Sequence, residues 1–122
     1  MPEQVIIRNT SRLGVRAIRA IYCDSFFCKL RGLMFRRELA PDEGLLLVQT
    51  KDSRMDSSIH MLFMQMDLAV IWIDSSLRVV DTELARRWRL AYFPTKPAQY
   101  VLEIPPALLD RFEVGDLLAF ER

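Results

Sequence analysis

Short apolar runs separated by turn residues recur along most of the chain. Their length and their β-branched residues predict strands in QVIIRNT, VRAIRAIY, LLLVQ, IHMLFM, LAVIWID, YVLEIP and LLAFE. The turn DSSLR joins LAVIWID to VVDTELA, which predicts a β-hairpin over residues 68–84. We therefore expect a mainly β fold, a β-sandwich or small barrel of seven to eight short strands with one or two short helices.

Two segments have the pattern of short helices. Asp24 or Ser25 is a suitable N-cap for FFCKLRGLM, so a helix is expected near residues 25–33, ending near Gly32. Pro105-Pro106 then opens a single helical turn, ALLDRF. No repeat, low-complexity tract or charge block marks a boundary, so residues 1–122 are predicted to form one domain.

The charges of the chain nearly balance. Seventeen basic and sixteen acidic residues give a net charge of +1, which provides no overall field to attract nucleic acid. The apolar runs are too short for a signal peptide or a membrane span, so the sequence predicts a soluble, cytoplasmic protein that does not bind membranes.

Cys23 and Cys28 are the two cysteines of the chain. The four residues between them fit neither the two-residue redox motif nor a complete zinc site, which needs four ligands. We therefore expect two free, mostly buried thiols in a reducing compartment. A redox switch between the two sulfurs is the alternative.

Familiar catalytic motifs are absent from the sequence. Four glycines cannot supply a phosphate-binding loop or a dinucleotide fingerprint, and neither HExxH nor GxSxG occurs. A serine or cysteine nucleophile would have to use His60, which is the single histidine. These absences favour a non-catalytic protein.

The segment SSIHMLFMQMDLAV combines that histidine with three methionines. If residues 59–64 form a strand, His60 and Met64 share one face, and Met66 joins them if the strand continues. Imidazole and thioether groups suit Cu(I), so these three residues are a candidate copper site. The alternative is a core strand, because both of its faces are apolar and methionine packs well in cores.

Arginines cluster beside aromatic residues in KLRGLMFRR and ARRWRLAYF. Such groups bind anions or protein surfaces, whereas a Trp88 tucked under the sheet would be structural. We predict a binding surface composed of Arg31, Arg36, His60, Arg87, Trp88 and Arg89.

The function predicted from these features is a binding or protein-interaction module. Its partner would be another protein or an anionic small molecule, and no cofactor is expected unless the copper site exists. An enzyme acting on an anionic small molecule is a further alternative. It would need a pocket that joins His60 to Asp67 or to a carboxylate from another strand.

Several segments together resemble the bacterial and archaeal family called domain of unknown function 192. These are KLRGLMFRRELAPDEGLLL, SIHMLFMQMDLAVIWIDSSLRVVD, RRWRL, AQYVLEIPP and VGDLLAF, within residues 5–120. The most specific parts are Arg31–Met34 and Ile59–Met64. The resemblance implies a compact, mainly β protein of sandwich or barrel type without an established reaction.

The sequence departs from that family beside the histidine. The family's Pro-apolar-Asp step reads Asp67-Leu68-Ala69 here, so the carboxylate expected at position 69 is missing. Met61 stands where a small polar residue, often Thr, is common. A mechanism that pairs the histidine with that carboxylate is therefore not expected here, although Asp67 could partly replace it.

Overall fold

The computed structural model describes residues 3–122, in which seven strands form one sheet. The strands are β1 Gln4–Asn9, β2 Ile18–Cys23, β3 Glu43–Ser53, β4 Leu68–Ile73, β5 Val79–Ala85, β6 Ala98–Ile104 and β7 Leu118–Glu121. One α-helix, α1, spans Phe26–Arg31, and one 3-10 helix spans Pro106–Arg111. Within the described residues, no helix is long and apolar enough to cross a membrane.

The sheet is curled into a half-barrel. Its strand order is β5-β4-β6-β3-β2-β1-β7, and β2 and β3 are its parallel pair. The two edge strands approach each other at one end, where Val79 N donates to Asp116 O (2.9 Å) and Leu118 N donates to Leu77 O (2.9 Å). The connection from β2 to β3 has to cross over the sheet because these strands are parallel, and α1 lies in this connection.

Both faces of the sheet are apolar. All six residues of β4 are buried, so this strand has a covered side chain on either face. One face packs against the 3-10 helix through Leu108 and Phe112. We call the other face the α1 face; its core includes Leu45, Leu47, Val70, Trp72 and Val101.

The structure confirms most of the predicted elements. The fold is mainly β with seven strands, and β4 and β5 form the predicted hairpin. The helix near residues 25–33 is also present: Ser25 Oγ accepts a hydrogen bond from Cys28 N (3.2 Å), and the helix ends at Gly32.

The strand predicted over residues 59–64 is wrong. Only Ile59 forms a bridge, to Tyr92, and the backbone then turns, with Phe63 at a φ of +61°. The backbone of Met61 pairs with the loop after β5, donating to Arg89 O (2.9 Å) and accepting from Trp88 N (2.7 Å). The segment is apolar because it covers the α1 face as a loop, so strand alternation does not apply to it.

The prediction of two free thiols is also wrong, because Cys23 and Cys28 form a disulfide. Cys23 ends β2 and Cys28 lies in α1, and the tight turn between these elements places their Cα atoms 5.6 Å apart. This distance is within the range of disulfides. The expectation of a reducing compartment rested on free thiols and loses that support.

The backbone of β3 lies close to β6 at Gly44. A Cβ atom at this position would lie 2.9 Å from the carbonyl oxygen of Glu103 and 2.9 Å from Cγ2 of Ile104. Because the first of these atoms is backbone, we expect Gly44→Ala to lower the free energy of unfolding by about 2 kcal/mol, measured by urea denaturation. Gly14→Asn is the control, since a Cβ there meets nothing within 4 Å and Asn tolerates the φ of +82°. Equal stability of Gly44→Ala and the natural protein would contradict this contact.

Candidate functional site

A small polar cavity lies between α1 and the α1 face of the sheet. Its volume is about 60 Å³. Its walls come from α1 and the turn after it, from β3 and β6, and from the loop before β4. The lining residues are Lys29, Leu30, Arg31, Gly32, Leu33, Met34, Leu47, Ser58, Ile59, His60, Met64 and Glu103.

Glu103 is the most unusual residue of this cavity. It lies on β6 between Leu45 of β3 and Val70 of β4, so its side chain is on the apolar α1 face. Its side chain forms no hydrogen bond or ion pair within residues 3–122, and the residue is only 5% exposed. Burial disfavours the charged form and raises the pKa of the Glu103 carboxyl from 4.5 to about 7.

His60 lines the same cavity from the loop before β4. This loop is fixed to the sheet because Trp72 Nε1 donates to Ser57 O (2.8 Å), while Ile59 and Tyr92 exchange backbone hydrogen bonds of 3.0 and 2.8 Å. The histidine is half-buried, and its Nδ1 is buried without a hydrogen-bond partner in the described part of the chain. Unpartnered buried polar atoms are rare in folded proteins, and this one belongs to a cavity that also contains the carboxyl of Glu103, so the cavity is a candidate site.

The third wall depends on how α1 is held. No residue of α1 is buried, so packing alone does not place it. Two contacts do: the Cys23–Cys28 disulfide to β2, and the Lys29 ammonium, which donates to Val48 O (3.0 Å) and Gln49 Oε1 (3.2 Å) on β3. The Ser25 cap stabilises the first turn of the helix itself.

Three exposed aromatic side chains contact one another and are close in sequence to residues of the cavity. We call them the aromatic cluster. It consists of Phe35, Phe63 and Trp88, with ring centroids 5.7 Å apart for Phe35–Phe63 and 5.4 Å apart for Phe63–Trp88. Phe35 directly follows the cavity residue Met34. Trp88 is 52% exposed, so it is not tucked under the sheet.

All three residues of the aromatic cluster have a left-handed backbone conformation. Their φ values are +69°, +61° and +69°. This conformation costs a bulky residue about 1 kcal/mol each. Exposure of the rings to water adds an unfavourable term, so neither local backbone energy nor burial explains why aromatic residues stand here.

Arginines flank Phe35 and Trp88 in the sequence, and they differ in how they are paired. Arg36 binds Glu43 (3.0 Å), and Arg87 binds Asp67 (3.3 Å). Arg37 and Arg89 are exposed and form no ion pair or side-chain hydrogen bond with any residue from 3 to 122. The aromatic cluster is therefore adjacent in sequence to two positive charges, those of Arg37 and Arg89, that have no negative partner within residues 3–122.

The residues predicted for a binding surface fall into neighbouring parts of the molecule. Arg31 and His60 line the cavity, and Arg31 shares a second cleft with Arg36. Trp88 belongs to the aromatic cluster, and Arg87 lines a further cleft beside Asp67. That they act as one binding surface stays a prediction.

The three candidate copper ligands are not all in one place. His60 and Met64 line the cavity, whereas Met66 lines the cleft that contains Arg87. Among residues 3–122, no group of three or more His, Cys, Asp or Glu side chains could hold a metal ion. Copper binding stays a prediction that rests on His60 and Met64.

Sequence reasoning missed Glu103, although a signal for it exists. Val101, Leu102 and Ile104 flank it with apolar side chains that alternate between both faces of a strand. A strand that is apolar on both faces is covered on both, so a glutamate within it has to be buried. The enzyme alternative required a carboxylate from another strand beside His60, and Glu103, not Asp67, occupies that position in the cavity.

The fold and the cavity together define a class: a small half-barrel domain with a polar cavity beneath a short helix. The chain belongs to the DUF192 family, described as "Uncharacterized ACR", whose model matches residues 6–120.

Relatives support this membership. A UPF0127 protein of Thermococcus kodakarensis is 44% identical over 99 residues, which cover 80% of this chain and 61% of that protein. A UPF0127 protein of Pyrococcus furiosus is 36% identical over 86% of this chain and 89% of its own length. The chain thus spans about three fifths of the length of the first of these relatives.

Solved structures share the fold. A protein of unknown function from Novosphingobium aromaticivorans has a TM-score of 0.83 at 24% identity and covers 97% of this chain and 84% of its own. A candidate transcription regulator from Sinorhizobium meliloti has a TM-score of 0.85 at 22% identity, with coverages of 98% and 94%. At these identities the likeness concerns the fold.

The buried carboxyl makes folding stability depend on pH. Between pH 4.5 and about 7 the folded protein binds more protons at Glu103 than the unfolded chain does, so stability falls as pH rises through this window. The loss is on the order of 3 kcal/mol. Glu103→Gln removes this pH dependence. The unfolding free energy of the natural protein should therefore fall by this amount relative to that of the variant as pH rises through the window. Urea denaturation at several pH values measures the difference. Glu83→Gln, on an exposed position of β5, is the control, and a pH-independent difference for Glu103→Gln would contradict the buried site.

The disulfide should stabilise both the fold and the wall of the cavity. Because it closes a loop with a sequence separation of 5, its removal in Cys23→Ala/Cys28→Ala should cost about 2 kcal/mol of unfolding free energy. Amide hydrogen exchange within α1 should become faster, since α1 has no buried residue to hold it. The natural protein treated with dithiothreitol should behave like the double variant. Unchanged exchange in α1 would show that the disulfide does not position the helix.

Proposed function

We propose that the protein is an interaction module that binds an acidic segment of another protein through the aromatic cluster and its flanking arginines. The observation that carries this proposal is the cluster itself: three exposed, mutually contacting rings on strained backbone. Strained residues persist where the surrounding structure fixes them, and they concentrate at functional sites. Exposed aromatic side chains are frequent binding anchors.

The backbone around the cluster supports its use as a rigid platform. Phe35 N donates to Phe63 O (3.1 Å) and Trp88 N donates to Met61 O (2.7 Å), so three separate loops are joined beneath the rings. A partner therefore meets rings that are already positioned, and the entropic cost of ordering them on binding is small.

Charge indicates the chemistry of the partner. Phe35 is followed by Arg36 and Arg37, and Trp88 is flanked by Arg87 and Arg89. Arg37 and Arg89, unpaired within the described chain, can each bind a carboxylate bidentately. An acidic peptide with an apolar or aromatic anchor matches this surface. Rings and arginines also bind single-stranded nucleic acid, but a net charge of +1 does not favour that partner.

The proposal also concerns where the protein is located and whether it catalyses a reaction. We propose a cytoplasmic protein, although the disulfide gives that location no support. No reaction is proposed, and the enzyme and copper hypotheses remain alternatives attached to the cavity, not to the aromatic cluster.

Peptide phage display on the natural protein tests the proposed function. Selected peptides should be enriched in Asp and Glu together with an apolar anchor. Trp88→Asn removes a ring while Asn tolerates the left-handed backbone, so it should weaken binding of a selected peptide about tenfold or more without lowering folding stability. Fluorescence anisotropy measures the affinity.

Leu13→Ala is the matched control, because Leu13 is 99% exposed in the turn between β1 and β2 and should not affect binding. Peptides that bind Trp88→Asn as well as the natural protein would contradict the proposal. Tighter binding of an oligouridine strand than of any selected peptide, lost in Trp88→Asn, would reassign the surface to nucleic acid.

A further inference from the structure

The cavity under α1 contains a carboxylate that lacks a partner. Glu103 is nearly fully buried, lines the cavity together with Leu33, Leu47 and Met64, and accepts no hydrogen bond from any donor within residues 3–122. Burying such a group without compensation is costly, and a buried carboxylate is normally paired with a cation. Such a group either takes up a proton, which is what its raised pKa reflects, or is paired by a ligand that enters the cavity.

The basic residues that line the cavity do not fill this role. The Lys29 ammonium is engaged with Val48 O and Gln49 Oε1 on β3, which lies beside β6. Arg31 is exposed and is shared with the neighbouring cleft. Burial is the sole cause of the raised pKa of Glu103, so neither cation offsets its charge.

The other polar side chains of the cavity offer acceptors. Ser58 Oγ donates its proton to Met55 O (2.7 Å), which leaves its lone pairs available. His60 also lines the cavity, and its ring forms no hydrogen bond within residues 3–122, so a neutral imidazole has one nitrogen that can accept a hydrogen bond from a ligand.

We propose that this cavity binds the head group of a primary ammonium ion, which donates hydrogen bonds to Glu103, Ser58 and His60. The three N–H donors of an ammonium group match these three acceptors, and its charge provides the missing partner of the carboxylate. This site is separate from the aromatic cluster, and it does not depend on the proposed function.

The size of the cavity limits the ligand. One water needs about 10–15 Å³ of such volume, so the roughly 60 Å³ available holds only a few non-hydrogen atoms. Ethylammonium fits this limit. A longer chain would have to extend out of the cavity, whose lining includes the exposed residues Leu30 and Arg31. The ammonium could therefore belong to a free small amine or to a lysine side chain of another protein.

Titration with ethylammonium chloride, followed by NMR of the His60 ring and the Glu103 carboxyl carbon, tests the site. At about pH 8 and constant ionic strength we expect saturable shifts with a Kd on the order of 1 mM, the strength expected of so small a ligand. Tetramethylammonium has the charge but no N–H donors, and ethanol has a donor but no charge. Both should bind at least tenfold more weakly, as should acetate.

Variants assign the binding to the cavity. Glu103→Gln should weaken ethylammonium at least tenfold, while Glu83→Gln on β5 should bind like the natural protein. A second measurement does not require a variant to fold: saturating ethylammonium should lower the pKa of Glu103 in the natural protein, because a cation favours the ionised carboxyl. An unchanged pKa, equal binding by Glu103→Gln, or acetate binding as tightly as ethylammonium would each overturn the proposal.

Nα-acetyl-lysine amide distinguishes the two sources of the ammonium. If it binds as tightly as ethylammonium and shifts the same His60 and Glu103 signals, the cavity accepts a lysine side chain. If ethylammonium binds and the lysine derivative does not, the ligand is a free small amine. Either result supports the ammonium site, and binding of neither overturns it.

Discussion

The burial of β4 on both faces is the constraint on which the rest of the structure depends. Its residues Leu68–Ile73 are apolar and buried throughout, so other parts of the chain have to cover both faces of the sheet. Curling of the sheet and the 3-10 helix cover one face. The chain covers the α1 face with α1 and the loops around residues 54–67 and 86–97, which pair with each other through Ile59 and Tyr92.

This covering by loops, not by a second sheet, produces both candidate sites. These two loops and the turn after α1 each place one aromatic residue, Phe63, Trp88 and Phe35 respectively, in a left-handed conformation with its ring exposed. The cover is also incomplete, because α1 contributes no buried residue and leaves a cavity above Glu103. A tighter cover would remove the cavity and increase stability, so the molecule keeps features that folding alone does not require.

The sequence predicted the fold class and the strands well because the evidence for them is local. Runs such as LAVIWID and YVLEIP have strand length, and Ser25 is a capping residue directly before a helix. The segment IHMLFM was misassigned because an apolar run has the same composition whether it forms a strand or covers one. The Cys23–Cys28 disulfide was missed because the spacing of two cysteines does not determine how close a turn brings them.

The candidate sites were only partly predictable. Trp88 and His60 stand out in the sequence by residue type, and both lie at positions of interest in the structure. Their neighbours do not: Phe35 and Phe63 join Trp88 only through the pairing of distant loops, and Glu103 meets His60 only because β6 passes beneath the loop before β4. Such contacts between residues far apart in the chain require the fold.

Glu103, buried and without a partner in the cavity beneath α1, is the residue on which the proposed ammonium site depends. The most direct measurement is the titration of its carboxyl carbon by ¹³C NMR in the natural protein with the disulfide intact. We expect a pKa of about 7 for this carboxyl, because burial is not compensated by a neighbouring cation. An ordinary pKa near 4.5 would contradict it, because it would mean that Glu103 is solvated or already paired.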